Sequence, residues 1–295
     1  VMAQGTVNDI EANAQSKIGP FLSGKASIKV RQQVEAANIF NDGKIAMTTG
    51  AIHTVRPLSV EIPKGRLTVV TGVSGSGKTT MVLESLIPGL EAKLNGEHLP
   101  GHVKSITAEG IAHVKLIDAS PIGINVRSTV ATYANVHDEL RKIYAKTADA
   151  KNKKYKAGDF SYNTGKLRCP VCDGTGQISL DVQFLPDVDV PCPECGGSRY
   201  GREAWDICYA NKRGKRYSLP QMMEMDVTAA LQATEDWKVV HQRLEVLKNL
   251  GLGYLTLGEE TPSLSGGEAQ RLKLASEMGR FTKADYPTFF LFSVS

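Results

Sequence analysis

Gly72-Val73-Ser74-Gly75-Ser76-Gly77-Lys78-Thr79 fits the pattern G-x-x-x-x-G-K-[ST] and constrains this chain more than any other stretch. Such a loop sits between a strand and a helix. Leu67-Thr68-Val69-Val70-Thr71 before it reads as a buried strand, and Thr80–Ile87 after it reads as the helix. The glycines let the backbone curl so that several N–H groups face one anion, helped by the positive end of the helix dipole. In that arrangement Gly72, Val73, Ser74, Gly75, Ser76, Gly77 and Thr80 cradle the phosphates of ATP. Lys78 reaches the β- and γ-phosphates, and the Thr79 hydroxyl ligates Mg²⁺. The bland alternative is a chance Gly/Ser turn ahead of a helix, which the order strand, loop, helix argues against.

Four of the five cysteines form one pattern, Cys169-Pro170-Val171-Cys172 and Cys192-Pro193-Glu194-Cys195, with 19 residues between the pairs. That spacing suits a four-thiolate zinc site, each C-x-x-C turn pointing two sulfurs at one tetrahedral ion. Gly174, Gly176, Gly196 and Gly197 let the backbone wrap close to sulfur. Disulfide or redox use is the alternative; redox chemistry needs only one C-x-x-C, at a helix start. With all four positions filled by cysteine, the expected site is closed and structural. Cys208 is left over and reads as a half-buried core thiol.

Length and charge set looser bounds. A chain of 295 residues, 41% hydrophobic and 22% charged, is ordinary for one or two globular domains. Its N-terminus lacks a basic region followed by an apolar run, and no stretch is long enough for a membrane span, so a cytoplasmic protein with no membrane partner is expected. The net charge of +4 is a weak hint of a polyanionic partner. Local charge says more. Arg141, Lys142, Lys146, Lys151, Lys153, Lys154 and Lys156 face one acid, Asp149, and Lys212-Arg213-Gly214-Lys215-Arg216 forms a second knot. Both suit phosphate contact, and both also suit a solvated helix end and loop.

Residues 1–50 read as polar and turn-rich. Ala51–Gly72 reads as strand, turn at Pro63-Lys64-Gly65, strand. Val114–Asp118 reads as a core strand, and Val136–Ala148 as a helix with Val136, Leu140, Ile143 and Tyr144 on one face. Lys151–Lys156 reads as a loop and Ile178–Phe184 as a strand between the cysteine turns. Val227–Thr234 and Trp237–Leu250 read as helices, the second with Val240, Leu244 and Leu247 on one stripe and Gly251 as its cap.

Leu264-Ser265-Gly266-Gly267-Glu268-Ala269-Gln270-Arg271 resembles the LSGGQ signature of ABC-type ATPases. It is a second glycine turn opening a helix; a capped helix after a glycine turn is the plain alternative. In that family the signature of one cassette closes over the γ-phosphate held by another, which implies a second cassette as partner. Here 187 positions separate Lys78 from Ser265, far more than in transporter ATPases. A long insertion with a Cys₄ module resembles the UvrA family, the damage-recognition ATPases of bacterial nucleotide excision repair. Ser120-Pro121-Ile122-Gly123, Arg127-Ser128, Ala131-Thr132-Tyr133, Phe184–Val188, Val190-Pro191-Cys192 and Leu250–Tyr254 resemble its segments too. Ala3–Thr6 and Leu22-Ser23-Gly24 resemble the end of its first half.

The resemblance implies an α/β fold, a P-loop ABC-type core with a large inserted signature domain carrying the zinc module. Segment 1–50 would resemble the end of a preceding cassette, 51–118 the nucleotide-binding core, 119–262 the inserted DNA-binding region with its zinc module at 169–195, and 263–295 the signature helix and return to the core. It further implies lesion-bearing duplex DNA and a UvrB-type protein as partners, with ATP, Mg²⁺ and Zn²⁺ as cofactors. Arg127, Lys151, Lys153, Lys154, Lys212, Arg213, Lys215 and Arg216 become the candidate DNA contacts.

The chain also departs from the family. Thr288-Phe289-Phe290-Leu291-Phe292 resembles the strand that carries the paired acids of ABC ATPases, but Ser293-Val294-Ser295 follows, and the switch histidine beyond it is missing. The expectation is a partial chain that binds nucleotide and has lost most turnover, since phosphoryl transfer depends on positioning and charge stabilisation. Asp118-Ala119-Ser120-Pro121 has alanine where the family usually has glutamine. That suits a UvrA-like paralogue giving resistance to DNA-binding drugs. In another class, Cys169–Gly176 resembles one repeat of the DnaJ chaperones, a zinc-dependent protein-binding module, which leaves the phosphate loop unexplained.

Overall fold

The computed structural model describes residues 3–28, 30, 33–123, 125–180, 188–281 and 287–293. The chain divides into two units, Val1–Glu109 and Gly110–Ser295. The first is built on a three-stranded antiparallel sheet. Its middle strand β1 (Lys44–Thr49) buries Ile45, Met47 and Thr49 alternately, as a half-buried strand must. It pairs with β2 (Leu58–Pro63), Met47 opposite Val60, and with β3 (Val103–Ile106), Met47 opposite Ile106. Helix α1 (Ile87–Asn95) lies against β3. A Cβ at Gly89 would stand 3.3 Å from Ile106 Cδ1, so glycine sets how close the helix comes. Gly96, at φ 71°, ends α1 in the left-handed conformation.

Two expectations fail in this unit. Strand β1 falls inside the segment 1–50, read as polar and turn-rich. Conversely, Leu67–Thr71 is not a buried strand: it forms no regular element, with Leu67 83% and Val69 72% exposed, and joins no ladder among the described residues. Apolar composition favours a strand only where a neighbour supplies hydrogen bonds, and the sheet of this unit is β2-β1-β3. Beyond the loop the helix forms as expected, though Thr80–Leu86 is wound in wide π-type turns before α1.

In the second unit β4 (His113–Ile117) runs parallel to β9 (Thr288–Phe292), His113 opposite Thr288 and Ile117 opposite Phe292, so both expected strands form. Between them in sequence lies a mostly helical body. Helix α2 (Val136–Tyr144) buries Val136, His137, Leu140 and Tyr144. It stops before Ala148 because Thr147 caps a new short helix, Ala148–Asn152, accepting from the Ala150 N–H. Part of the expected 151–156 loop is therefore helical. Helix α3 (Leu219–Glu224), α4 (Val227–Ala233, capped by Asp226) and α5 (Lys238–Leu247) close the core, and Val240, Leu244 and Leu247 face inward as the stripe predicts. Gly251 takes φ 77° at the end of that helix. Helix α6 (Gly266–Phe281) follows the signature turn. Among the described residues no helix is long and apolar enough to cross a membrane.

The core is rich in rings: Tyr144, Phe160, Tyr162 and Tyr200 are fully buried, and Trp237 stacks edge-on to Tyr144 at 6.2 Å. His137 is buried among them. The Tyr200 hydroxyl donates to Phe160 O at 3.0 Å and so accepts from His137 Nε2 at 2.8 Å. Burial, with Arg141 adding positive charge nearby, pushes His137 down to about 3 from 6.5. Its folded-state value lies below the unfolded one, so the unfolded chain binds the extra proton and stability falls as pH drops from 6.5 toward 3. We expect wild type to lose about 1.4 kcal/mol per pH unit more than His137→Gln over that window, read from urea midpoints. Leu140→Ala should cost about 2–5 kcal/mol in the same assay at neutral pH.

Candidate functional site

The glycine loop of the first unit adopts backbone angles that side chains resist. Gly75 and Gly77 have φ of 78° and 86°, and a Cβ at Gly77 would sit 2.5 Å from Val55 Cγ2. Lys78 Nζ donates to the carbonyls of Gly72 at 2.7 Å and Val73 at 2.8 Å, so the ammonium lies across the loop it belongs to. Ser76 N–H closes the turn onto Val73 O at 3.2 Å, and Met81 N–H onto Gly77 O at 2.9 Å starts the helix. Glu84, one turn on, takes hydrogen bonds from His53 at 2.8 Å and Thr80 at 3.3 Å, and the His53 bond holds its carboxyl below the usual range.

The signature turn lies in the second unit. Ser265 and Glu268 cap α6 reciprocally: Ser265 N–H and Oγ–H both donate to Glu268 Oε2 at 2.7 Å, and Glu268 N–H donates back to Ser265 Oγ at 3.4 Å. The Tyr254 hydroxyl donates to the other oxygen of Glu268. Together the Tyr254 and Ser265 bonds hold this carboxyl below the usual range. Further along α6, the Gln270 amide donates to Ile117 O at 2.9 Å and Ser293 O at 3.0 Å, clipping the ends of β4 and β9. Lys273 donates to Asp118 and to Ser120 O at 2.9 Å, tying the turn after β4 to the helix. Ala119 in that turn abuts Gly266, where a Cβ would be 3.3 Å from the alanine methyl.

The cysteines converge. Strands β5 (Gln177–Leu180) and β6 (Val188–Pro191) form an antiparallel hairpin, Gln177 opposite Pro191, that brings the two C-x-x-C turns side by side. Residues 181–187 lie outside the described residues, and with them the far end of the expected 178–184 strand and the Phe184–Asp187 resemblance. The Sγ atoms of Cys169, Cys172, Cys192 and Cys195 all lie within 4.8 Å of one another, with Cys169–Cys192 at 3.9 Å and Cys172–Cys195 at 3.7 Å. Four sulfurs about 2.3 Å from a tetrahedral zinc would be about 3.8 Å apart, so the set fits the ion. Burial pushes the Cys169 thiol up and the Cys195 thiol to about 12. At Cys172 burial is outweighed by N–H donors of Gly176 and Gly174, which bring it to about 7. Cys208 stands apart, its thiol turned to Trp205 O.

The first cysteine turn permits little change. A Cβ at Gly174 would lie 1.7 Å from Tyr162 O. Arg199 leaves the second turn with φ 72°, its guanidinium buried.

Most of the basic candidates are paired. Arg127 donates to Asp173 O at 2.8 Å and pairs with its carboxylate at 3.2 Å, beside the cysteine turn. Lys212 pairs with Asp236 at 3.2 Å, Arg213 with both oxygens of Glu235 at 2.8 Å, and Lys153 with Asp206 at 3.8 Å. Arg216 reaches Asp149 at 3.2 Å and so joins the hairpin of β7 (Cys208–Ala210) and β8 (Arg216–Ser218) to the helix bearing Lys151. The two basic knots are thus neighbours. Lys215 lies over Tyr217, and Lys151 and Lys154 carry no ion pair among the described residues. Arg199, Glu260 and Lys273 carry no motif signal, and Tyr254 and Gln270 stand only as members of resembling segments, because the partners of all five lie far away in sequence.

Zinc-loaded chain should contain one ion per chain, and Gly174→Ala should lose it, because the added methyl drives Tyr162 and Cys172 apart. Elemental analysis after chelator competition reads both; retention of zinc by the variant would contradict this packing.

No family model matches the chain. Over 281 residues it is 41% identical to UvrABC system protein A of Lactococcus lactis, which covers 94% of this chain and 29% of that protein. UvrABC system protein A of Thermus thermophilus is 39% identical over 285 residues, covering 95% of this chain and 29% of that protein. The crystal structure of UvrA2 from Deinococcus radiodurans matches with a TM-score of 0.81 and 33% identity, covering 99% of this chain and 34% of that one. Identity near 40% along almost its whole length places the chain in the UvrA family, and it spans about 29% of the length of the curated relatives it matches.

Proposed function

We propose that this chain is the nucleotide- and zinc-binding portion of a UvrA-type ATPase that recognises DNA damage in nucleotide excision repair. The observation that carries the reading is identity near 40% along a segment holding both the glycine loop and the four clustered cysteines. A zinc-dependent protein-binding module accounts for only the second of these.

On this reading the P-loop core spans 51–118, the inserted DNA-binding region 119–262 and the signature segment 263–295, after an N-terminal piece at 1–50. Residues 72–80 hold ATP, with Lys78 leaving the carbonyls of Gly72 and Val73 for phosphate oxygens, which bind an ammonium more strongly than neutral carbonyls do. Thr79 holds Mg²⁺. Leu264–Glu268 serves the nucleotide of a second cassette. Cys169, Cys172, Cys192 and Cys195 hold a structural Zn²⁺, which supplies fold rather than chemistry. Lesion-bearing duplex DNA, a UvrB-type protein and the cytoplasm complete the setting. Specificity would come from DNA deformability, and salt-sensitive affinity from lysines and arginines such as Lys151, Lys154 and Lys215.

A second reading, a UvrA-like paralogue that protects DNA from an intercalating drug, is favoured by Ala119. Its methyl cannot ligate a metal or orient a water as the glutamine usual there could.

Titrating the zinc-loaded chain with ATP and Mg²⁺ by calorimetry tests the nucleotide site. Wild type should bind, and Lys78→Ala should weaken binding at least about tenfold, or about 1.4 kcal/mol. Equal affinity in the two proteins would remove the loop from the nucleotide site.

A further inference from the structure

Arg199 is the most constrained charge in the second unit. Its carbonyl accepts from Cys169 N–H at 2.9 Å, and Ser198 N–H closes onto Cys195 O at 3.0 Å, so both cysteine turns fix its backbone. Its guanidinium is 5% exposed, lies 5.3 Å from the Tyr162 ring centre and donates to Gly174 O at 3.4 Å. The other prong donates to Glu260 Oε1 at 2.7 Å. Glu260 bridges backbone to backbone with Thr129, and its carbonyl accepts from Ser263 Oγ at 2.7 Å. Thr261 N–H donates to Ser128 O at 2.9 Å, and Leu264 N–H to Thr261 O at 3.3 Å. Ser265, which caps α6, comes next. An ion pair with a buried guanidinium and a partly buried carboxylate therefore joins the thiol cluster to the turn that leads into the glycine-rich signature.

We propose that the Arg199–Glu260 ion pair couples the metal state of the four-cysteine site to the order of the turn at Thr261–Glu268, making Arg199 a positioning residue for the signature. With metal bound, both cysteine turns are fixed, the guanidinium is held in place and Glu260 is clamped. Without metal, the backbone carrying Arg199 loses its anchor at Cys169 and Cys195, and the guanidinium no longer fixes Glu260. A partly buried pair of this kind adds little net stability over an apolar contact; its use is to specify one arrangement. Coupling of this sort needs an element with two states that the metal biases, and the short turn between Glu260 and Ser265 is that element. The inference rests on reading the thiols as a metal site, which the metal count tests separately.

Amide hydrogen exchange of the whole chain, zinc-loaded and chelator-treated, decides it. In wild type, zinc removal should speed exchange at 261–268 about tenfold or more, while α5 in the same unit and β1 in the other keep their protection. Glu260→Gln should still bind one zinc per chain, yet exchange fast at 261–268 whether loaded or not. If Glu260→Gln loses protection in α5, Arg199→Lys replaces it under the same criteria, since lysine cannot reach Gly174 and Glu260 together. Unchanged exchange at 261–268 on zinc removal would overturn the proposal. So would a variant that responds as wild type does, or loss of α5 protection along with the turn in wild type, which would mean that metal holds the whole unit. A chain that binds no zinc would overturn the metal reading and this inference with it.

Discussion

Four thiols confined within 4.8 Å of one another cannot all ionise unless a cation sits among them. The cysteine module of the second unit is arranged around that constraint. The β5–β6 hairpin exists to bring two short turns face to face, and Cys192 N–H donating to Gly176 O at 2.9 Å stitches them together. Gly174 lies so close to Tyr162 O that only a bare backbone fits. Through Tyr162, whose hydroxyl donates to Arg127 O at 3.0 Å, and through Arg199, the module is fastened to the segment preceding α2 and to the approach to the signature. It is an integral part of its unit and not a tethered finger.

Both glycine-rich turns keep their charged groups occupied internally. In the first unit Lys78 spans its own loop. In the second, Glu268 collects three donors, from Tyr254 and from Ser265 twice. An anion at either turn would have to displace these internal partners from Lys78 or from Ser265. At the signature the exchange has a sign. Glu268 stays ionised because its donors hold its proton affinity down, so an anion binding Ser265 must first separate it from a carboxylate.

What could be read from the chain depended on how local the cause was. The cysteine turns, the glycine loop, the inward stripe of Val240, Leu244 and Leu247, and strands β4 and β9 are all dictated by spacing within a few residues. Strand β1 also carried its signal, Ile45, Met47 and Thr49 alternating, but six residues at the end of a polar, turn-rich segment set too short a period to stand out. Leu67–Thr71 failed for the opposite reason: its composition suits a strand, but among the described residues it has no pairing partner, which composition does not encode. Arg199 and Glu260 lie 61 positions apart, and an arginine after Gly-Gly-Ser reads as surface until the fold buries it. The basic knots show the same limit. Their charge is plain in sequence, whereas the acids that answer it, Asp149, Asp206, Glu235 and Asp236, come from elsewhere in the chain.

The function proposed above is that of a zinc-bearing portion of a UvrA-type protein that distinguishes damaged from intact duplex. Fluorescence anisotropy of a lesion-bearing duplex and its undamaged twin, titrated with zinc-loaded protein at two salt concentrations with and without ATP, tests that most directly. We expect tighter binding to the damaged duplex, weakening as salt rises because phosphate contacts release counterions. Equal affinity for the two duplexes, or no binding by folded protein that holds nucleotide, would contradict it.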